Sequence, residues 1–283
     1  MNSLKLFSQV SLQCSRVVTE SYSTSFSSAI HLLHPSMRSP VYAIYGFVRL
    51  ADEIVDTFHD HEKKVLLEEF KAHTFQAIDR KISLNPILQA FQQTVHAYRI
   101  SEDLITAFFR SMEMDLEKTT YHTAAELKEY IYGSAEVVGL MCLFVFCNGD
   151  QVMYDQLKHT ACSLGAAFQK VNFLRDLKAD VQGLNRAYFP DVDFSTFNAS
   201  AKHQIEEDIA EDFKKAREGI RELPRHAKFG VFVAYKYYMS LFNKIRKLDS
   251  SVIMEKRVRI PNFNKLVIVL CASVQNRVSL LLD

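Results

Sequence analysis

Apolar residues recur every three or four positions along most of this chain, the period of a helix that buries one face. Few turn signals interrupt the pattern. The densest lies at 180–195, where Gly183, Asn185, Pro190 and three aspartates cluster, and further breaks fall at Leu223-Pro224 and Ile260-Pro261. Between the breaks the periodicity predicts helices at 4–20, 36–58, 62–81, 85–98, 101–117, 123–148, 151–180, 198–222, 225–248 and 262–282. Asn85-Pro86, and Ser101 ahead of Glu102-Asp103, have the chemistry of helix starts. The apolar stretches at 137–147 and 266–282 fall short of the about 20 clean residues of a membrane span. The first is brief, and the second is broken by Gln275, Asn276 and Arg277. Both are expected to be core helices, the last able to touch a bilayer surface. The opening residues carry no sustained apolar run, so no signal peptide is expected. With no repeat, low-complexity tract or long linker, the expectation is one all-α domain spanning 1–283.

Composition sharpens that reading. Eight glycines and six prolines make up about 5% of the chain, against roughly 12% in average usage, which suits long helices with few turns. The closest two glycines are six positions apart, so neither G-x-G-x-x-G nor G-x-x-x-x-G-K-S/T can be written. Any phosphate must therefore be held by side chains or metal. The net charge of +1 advertises neither nucleic acid nor disorder. Cys14, Cys142, Cys147, Cys162 and Cys271 are odd in number and lack a C-x-x-C, so they read as small apolar residues in a reducing cytosol.

Two helices carry unusual polar stripes. In 41–58, Tyr45, Arg49, Asp52 and Asp56 step by four, three and four along one face of an otherwise apolar helix. In 161–180, Gly165, Gln169, Asn172, Asp176 and Asp180 do the same, again ending in two aspartates four apart. Like charges at that spacing mildly destabilise a helix, and mid-helix Gly165 costs about 1 kcal/mol against alanine. One such stripe alone reads as a solvated edge. Two facing stripes would converge four aspartates and an asparagine, and aspartates that close cannot all stay ionised without cations. Hard oxygen donors without His or Cys favour Mg²⁺ sharing its shell with phosphate, and hence a clamp for diphosphate. A di-iron bundle would need Glu-x-x-His on two helices, and no histidine here has Glu three residues before it.

At these residues the sequence resembles the squalene/phytoene synthase family nearly end to end. The resemblance runs through Ser23-Thr24-Ser25-Phe26, Leu32-Leu33, Arg38, Tyr45-Gly46-Phe47 and Arg49 to the first aspartate motif, Asp52-Glu53-Ile54-Val55-Asp56. It continues through the middle segment Tyr130-Ile131-Tyr132-Gly133-Ser134-Ala135-Glu136-Val137-Val138-Gly139 and the second motif from Gln169 to Asp180. Arg186-Ala187-Tyr188-Phe189-Pro190, Tyr238 and Arg257 complete it. Glu136, Ala179 and Asn185 depart from the family pattern, which has Gly, an acidic residue and Gly there.

The resemblance implies an isoprenoid-synthase helical bundle with a central apolar cavity, and head-to-head condensation of two prenyl diphosphates through a cyclopropylcarbinyl diphosphate. It implies that Asp52, Asp56, Asn172, Asp176 and Asp180 hold Mg²⁺, or Mn²⁺ in its place. Tyr45 joins the catalytic set with Arg49. By the same resemblance Arg49, Arg186, Tyr188, Tyr238 and Arg257 hold the diphosphate, while Ser23 and Ser25 close over the first site. Ionisation of an allylic diphosphate leaves a trianionic leaving group and a carbocation. The former calls for metal and arginine, the latter for a dry apolar and aromatic wall. Phe26, Phe47, Tyr130, Leu164 and Phe168 lie on or beside the stripes as candidates for that wall, with Gly165 and Gln169 beside the substrate.

The motifs look closest to bacterial phytoene synthases, which implies two geranylgeranyl diphosphates, a phytoene product and no NADPH. A C15-using squalene or dehydrosqualene synthase is the near alternative. A non-catalytic assembly scaffold of the same fold is the alternative of another class, though it would have no reason to keep the paired aspartates. A terpene cyclase of similar fold is less well matched by the Gln169–Asn172 stripe. Cytoplasmic location, peripheral contact with a membrane and a downstream carotenoid desaturase as partner are the remaining expectations. His31 and His34 read as surface residues before Pro35, and His59 and His61 as a solvated connection. Within the basic cluster Lys244, Arg246, Lys247, Lys256, Arg257 and Arg259, only Arg257 is expected at the site.

Overall fold

Helix boundaries are set by local side-chain chemistry. Asn85 Oδ1 accepts from the Ile87 N–H at 2.9 Å ahead of Pro86, and Ser101 Oγ accepts from the Asp103 N–H at 3.3 Å. Thr123 caps the Glu126 N–H while Glu126 reaches back to the N–H of His122 at 2.8 Å. Asp150 and Asn198 cap the next two long helices. Lys81 and Arg99 end theirs in the left-handed region at φ 58° and 57°.

The computed structural model describes residues 3–183, 186–190, 197–260 and 268. The described helices are α1 (Ser3–Tyr22), α2 (Thr24–His31), α3 (Pro35–Asp56), α4 (Lys63–Arg80), α5 (Pro86–Tyr98) and α6 (Glu102–Glu117). They continue with α7 (Ala124–Ile131), α8 (Val137–Phe146), α9 (Gln151–Lys178), α10 (Ala199–Glu222), α11 (Arg225–Arg246) and α12 (Ser250–Glu255). A π-helical turn, Tyr132–Glu136, joins α7 to α8, and a second, Ala179–Gly183, ends α9. Among the described residues no strand forms, and one isolated bridge pairs Thr120 with Ala187. The all-α expectation is met.

Three expectations are corrected. The segment after α1 holds an eight-residue helix, α2, whose run of small hydroxylated residues hid it; Ser23 Oγ caps it through the Phe26 N–H at 3.2 Å. The short α12 was likewise unanticipated. The predicted helix 123–148 is interrupted by the π turn, because tertiary contacts squeeze the backbone on both sides. A Cβ on Gly133 would lie 2.5 Å from the carbonyl oxygen of Ala107, and one on Gly165 2.9 Å from that of Ala135. The cost of Gly165 thus permits close approach of another helix. Apart from residue 268, which is helical, the predicted helix 262–282 lies outside the described residues, as does Cys271.

One continuous apolar core runs through the bundle, with α3 on one side of it and α9 on the other. On one side Phe47 is fully buried, stacked on Phe91 at 3.9 Å and ringed by Phe70, Phe108 and Phe109, which binds α3 to α4, α5 and α6. Phe47 is therefore core and does not line a cavity. On α1 the buried Ser11, Ser15 and Thr19 return their hydroxyls to carbonyls four residues back, so close packing against α3 leaves no stranded donor there. On the other side α9 packs against α8, α10, α11 and α12. The one described stretch with the length and hydropathy of a membrane span, Ala124–Phe146, is mostly inside the protein.

Candidate active site

Between α2, α3, α8, α9, α10 and α11 lies a cavity of about 310 Å³. Its wall is almost wholly apolar, with Phe26, Leu33, Val138, Leu143, Leu164 and Phe168 among the lining residues. The α9 residues that line it run from Asn172 to Leu157, about 22 Å at the helical rise. Phe168 stacks on Tyr238 at 3.8 Å and Phe26 on Tyr45 at 4.9 Å, so aromatic faces flank the upper end. There the lining turns polar. Gln169 Nε2 donates to Ser134 Oγ at 3.2 Å, Asn172 Nδ2 to Gln169 Oε1 at 3.4 Å, and the Tyr238 hydroxyl to Asn172 Oδ1 at 3.3 Å.

Beyond this collar stand the carboxylates. Arg49 donates to both Asp52 and Glu53, and its guanidinium lies 4.3 Å over the Tyr22 ring. Its Nε is buried without a hydrogen-bond partner. Tyr45 shares its hydroxyl with Ser23, and burial holds its proton more tightly than usual. Ser25 is half-buried beside Phe26 on α2. Arg186 Nη1 donates to Asp56 Oδ1 at 3.1 Å, and the Arg186 N–H donates to the Asp180 carbonyl at 2.7 Å. Arg257 Nε stands 2.7 Å from Asp176 Oδ1, with Arg175 Nη2 2.5 Å from the other oxygen. Arg257 alone among its basic neighbours reaches the site; Lys244 bonds the Arg259 carbonyl and Arg246 lies over Phe242.

Asp115 was not singled out in the sequence. Its side chain is 5% exposed, and the Tyr130 hydroxyl donates to both its oxygens at 2.9 and 3.0 Å. Arg186 Nη2 donates to its backbone carbonyl at 3.1 Å. Tyr130 is thereby turned to Asp115, stacked with Phe173 and Tyr188 and tilted against Tyr121, away from the cavity wall where it was expected. Tyr188 lies in the same stack, 3.9 Å from Phe173, and Tyr121 has a buried hydroxyl with no partner. Ser134 and Tyr121 were also missed. Asp115 shares a helical stripe with buried Phe108, Ser111 and Met112, which was the one available signal.

Burial in the cleft, and then Asp56, push the Asp52 carboxyl up to about 7. Burial and Asp176 push Asp180 to about 7, and burial lifts Asp115 to about 7 against the pull of Arg186. Six carboxylates, Asp52, Glu53, Asp56, Asp115, Asp176 and Asp180, thus share four guanidiniums, Arg49, Arg175, Arg186 and Arg257. This donor set is hard, oxygen-only and short of positive charge, and so fits Mg²⁺ or Mn²⁺. Among the described residues no three acidic, imidazole or thiol side chains form a cage by themselves. A cation that keeps waters and shares phosphate oxygens needs only one or two carboxylates. Of the positions departing from the family pattern, Glu136 hydrogen-bonds Cys162 and Ala179 is exposed in the second π turn, while Asn185 lies outside the described residues.

Comparison with known proteins places this geometry. The phytoene synthase of Arthrospira platensis is 27% identical, over 95% of this chain and 94% of its own. The 15-cis-phytoene synthase of Synechocystis is 30% identical over 89% and 81%. A 4,4'-diapophytoene synthase from Staphylococcus haemolyticus is 24% identical over 83% and 87%. The crystal structure of a dehydrosqualene synthase superposes with a TM-score of 0.82 at 19% identity, over 95% of this chain and 98% of its own, which establishes the shared fold. The squalene/phytoene synthase model matches residues 19–264. The chain belongs to the squalene/phytoene synthase family, prenyltransferases that condense prenyl diphosphates head to head.

Proposed function

We propose that the protein condenses two geranylgeranyl diphosphates into phytoene and releases two diphosphates. The observation that carries this reading is a deep apolar cavity whose polar end opens onto two carboxylate stripes threaded by arginines. The cavity suits polyprenyl chains, and the arginine-carboxylate end suits their diphosphates. The C20 donor is favoured over C15 by the names of the relatives from Arthrospira platensis and Synechocystis and by the length of cavity along α9.

The residues divide the work by charge. Arg49, Arg186 and Arg257 supply fixed positive charge where the leaving diphosphate develops negative charge. The buried, unpartnered Nε of Arg49 is a donor awaiting an anion. Asp52, Asp56, Asn172, Asp176 and Asp180 would hold Mg²⁺, which when bound neutralises diphosphate oxygens and speeds their departure. The first ionisation gives an allylic cation. The double bond of the second substrate attacks it, and loss of a proton closes the cyclopropane. The second ionisation expels the other diphosphate, and the rearranged cation loses a proton to give the C40 hydrocarbon without external hydride. Phe26, Leu164 and Phe168 keep water from these cations, while Gln169, Asn172 and Tyr238 mark the boundary between dry cavity and charged mouth.

Incubation with Mg²⁺ and an equal mixture of farnesyl and geranylgeranyl diphosphates, without NADPH, tests the substrate assignment. A dominant C40 product supports it. A dominant C30 product keeps the mechanism and overturns the C20 assignment.

A further inference from the structure

A buried carboxylate is costly unless it is paired and hydrogen-bonded. Asp115 spends both its oxygens on the Tyr130 hydroxyl and stands 3.7 Å from Arg186 Nη1. Its backbone carbonyl, among the last four of α6 and so without an intrahelical partner, accepts from Arg186 Nη2 at 3.1 Å. Arg186 is therefore held at three points: its N–H on Asp180, its Nη2 on the end of α6, and its Nη1 between Asp56 and Asp115. Of these contacts, the one to Asp56 is made to a carboxylate expected to bind cation. If it were Arg186's sole anionic partner, drawing Asp56 away would leave a buried guanidinium uncompensated, and the pair would resist opening.

We propose that Asp115 is a positioning residue that keeps Arg186 seated when Asp56 turns to a cation, so that Nη1 is free to pass to the leaving diphosphate. Tyr130 orients the carboxylate by donating to both its oxygens. The aromatic cluster of Tyr121, Tyr130, Phe173 and Tyr188 keeps water from Asp115, which strengthens its charge interaction with Arg186. The end of α6 contributes too, because a helix C-terminus favours a cation. The proposal rests on the reading of this cleft as a diphosphate site, but not on which prenyl chain is used.

The test compares the full-length wild type with Asp115→Asn, Arg186→Ala and the double variant. It reads thermal stabilisation by inorganic pyrophosphate with Mg²⁺, and the Mg²⁺ concentration giving half-maximal turnover. The asparagine keeps an acceptor for Tyr130 but loses the charge. The expected result is a melting temperature close to wild type, about a 10-fold rise in the Mg²⁺ requirement, and a smaller pyrophosphate-induced shift. In the Arg186→Ala background, Asp115→Asn should add little. Should Asp115→Asn not fold, Tyr130→Phe gives the same readouts and should move them in the same direction by less. An unchanged Mg²⁺ requirement and pyrophosphate shift, or a full additive loss on top of Arg186→Ala, overturns the proposal. A wild type stabilised by pyrophosphate and Mg²⁺ but making no hydrocarbon would instead remove the proposed function, and the pyrophosphate-induced shifts of the variants would still decide this proposal.

Discussion

Arg186 Nη1 stands 3.1 Å from Asp56 Oδ1, joining residues 130 positions apart in the chain. This ion pair links the first aspartate stripe to the segment after the second, so the two halves of the clamp form one electrostatic unit. Removing the guanidinium leaves Asp56 and Asp115 facing each other without their shared cation. Arg186→Ala is expected to lower kcat/KM by about 10²–10³, the range seen for losing one preorganised charge-stabilising group. Steady-state kinetics on folded variant protein checks it.

The metal-free cleft should make stability fall with rising pH. Asp52, Asp115 and Asp180 have folded pKa values raised from 3.8 to about 7. Between those values the unfolded chain ionises while the folded protein stays protonated, so stability is lost across that window and levels off above it. Mg²⁺ competes with the protons at this cluster. It should therefore raise the melting temperature more at about pH 8 than at about pH 5.5. Thermal unfolding with Mg²⁺ or chelator decides this, and equal Mg²⁺ effects at both pH values would contradict it.

Gly165 meets the backbone of the first π turn, where a Cβ would lie 2.9 Å from both the Ala135 oxygen and Glu136 Cα. Neither atom can swing aside as a side chain would. Gly165→Ala should destabilise the fold by about 1–3 kcal/mol and displace Ser134 and Ala135 from the cavity wall. Denaturant unfolding measures the first effect and turnover the second.

Cavity length should select the substrate. Ala161 lines the cavity eleven residues before Asn172, about 16 Å along α9. Ala161→Phe would fill the space beneath and should shift the C15-to-C20 preference by on the order of 10-fold toward C15. Competition between the two donors reads the ratio directly.

How far the sequence discloses this site depends on the range of the interaction. The stripes Tyr45–Asp56 and Gly165–Asp180 follow from helical period alone, and the structure places their residues along the cavity and its charged mouth, with Asp180 in the π turn that ends α9. Asp115 did not stand out, because it sits in an ordinary acidic run and its partner Arg186 is 71 positions away. The π turn at Tyr132–Glu136 was equally hidden. Its cause is contact of Gly133 with α6 and of Gly165 with the turn itself, which no local propensity encodes. The aromatic candidates divided for the same reason. Phe26 and Phe168 face the cavity, Phe47 fills the core and Tyr130 turns to Asp115, although all four lie in similar apolar patterns.

The central claim is that the clamp joins two prenyl chains. Its most direct measurement is the stoichiometry of purified protein turning over geranylgeranyl diphosphate with Mg²⁺ and no NADPH. Two diphosphates should be released for each C40 hydrocarbon, with both lost together in Asp176→Ala. One diphosphate released for each geranylgeraniol, with no C40 product, would show that the cleft ionises its substrate without coupling it, and would contradict the account.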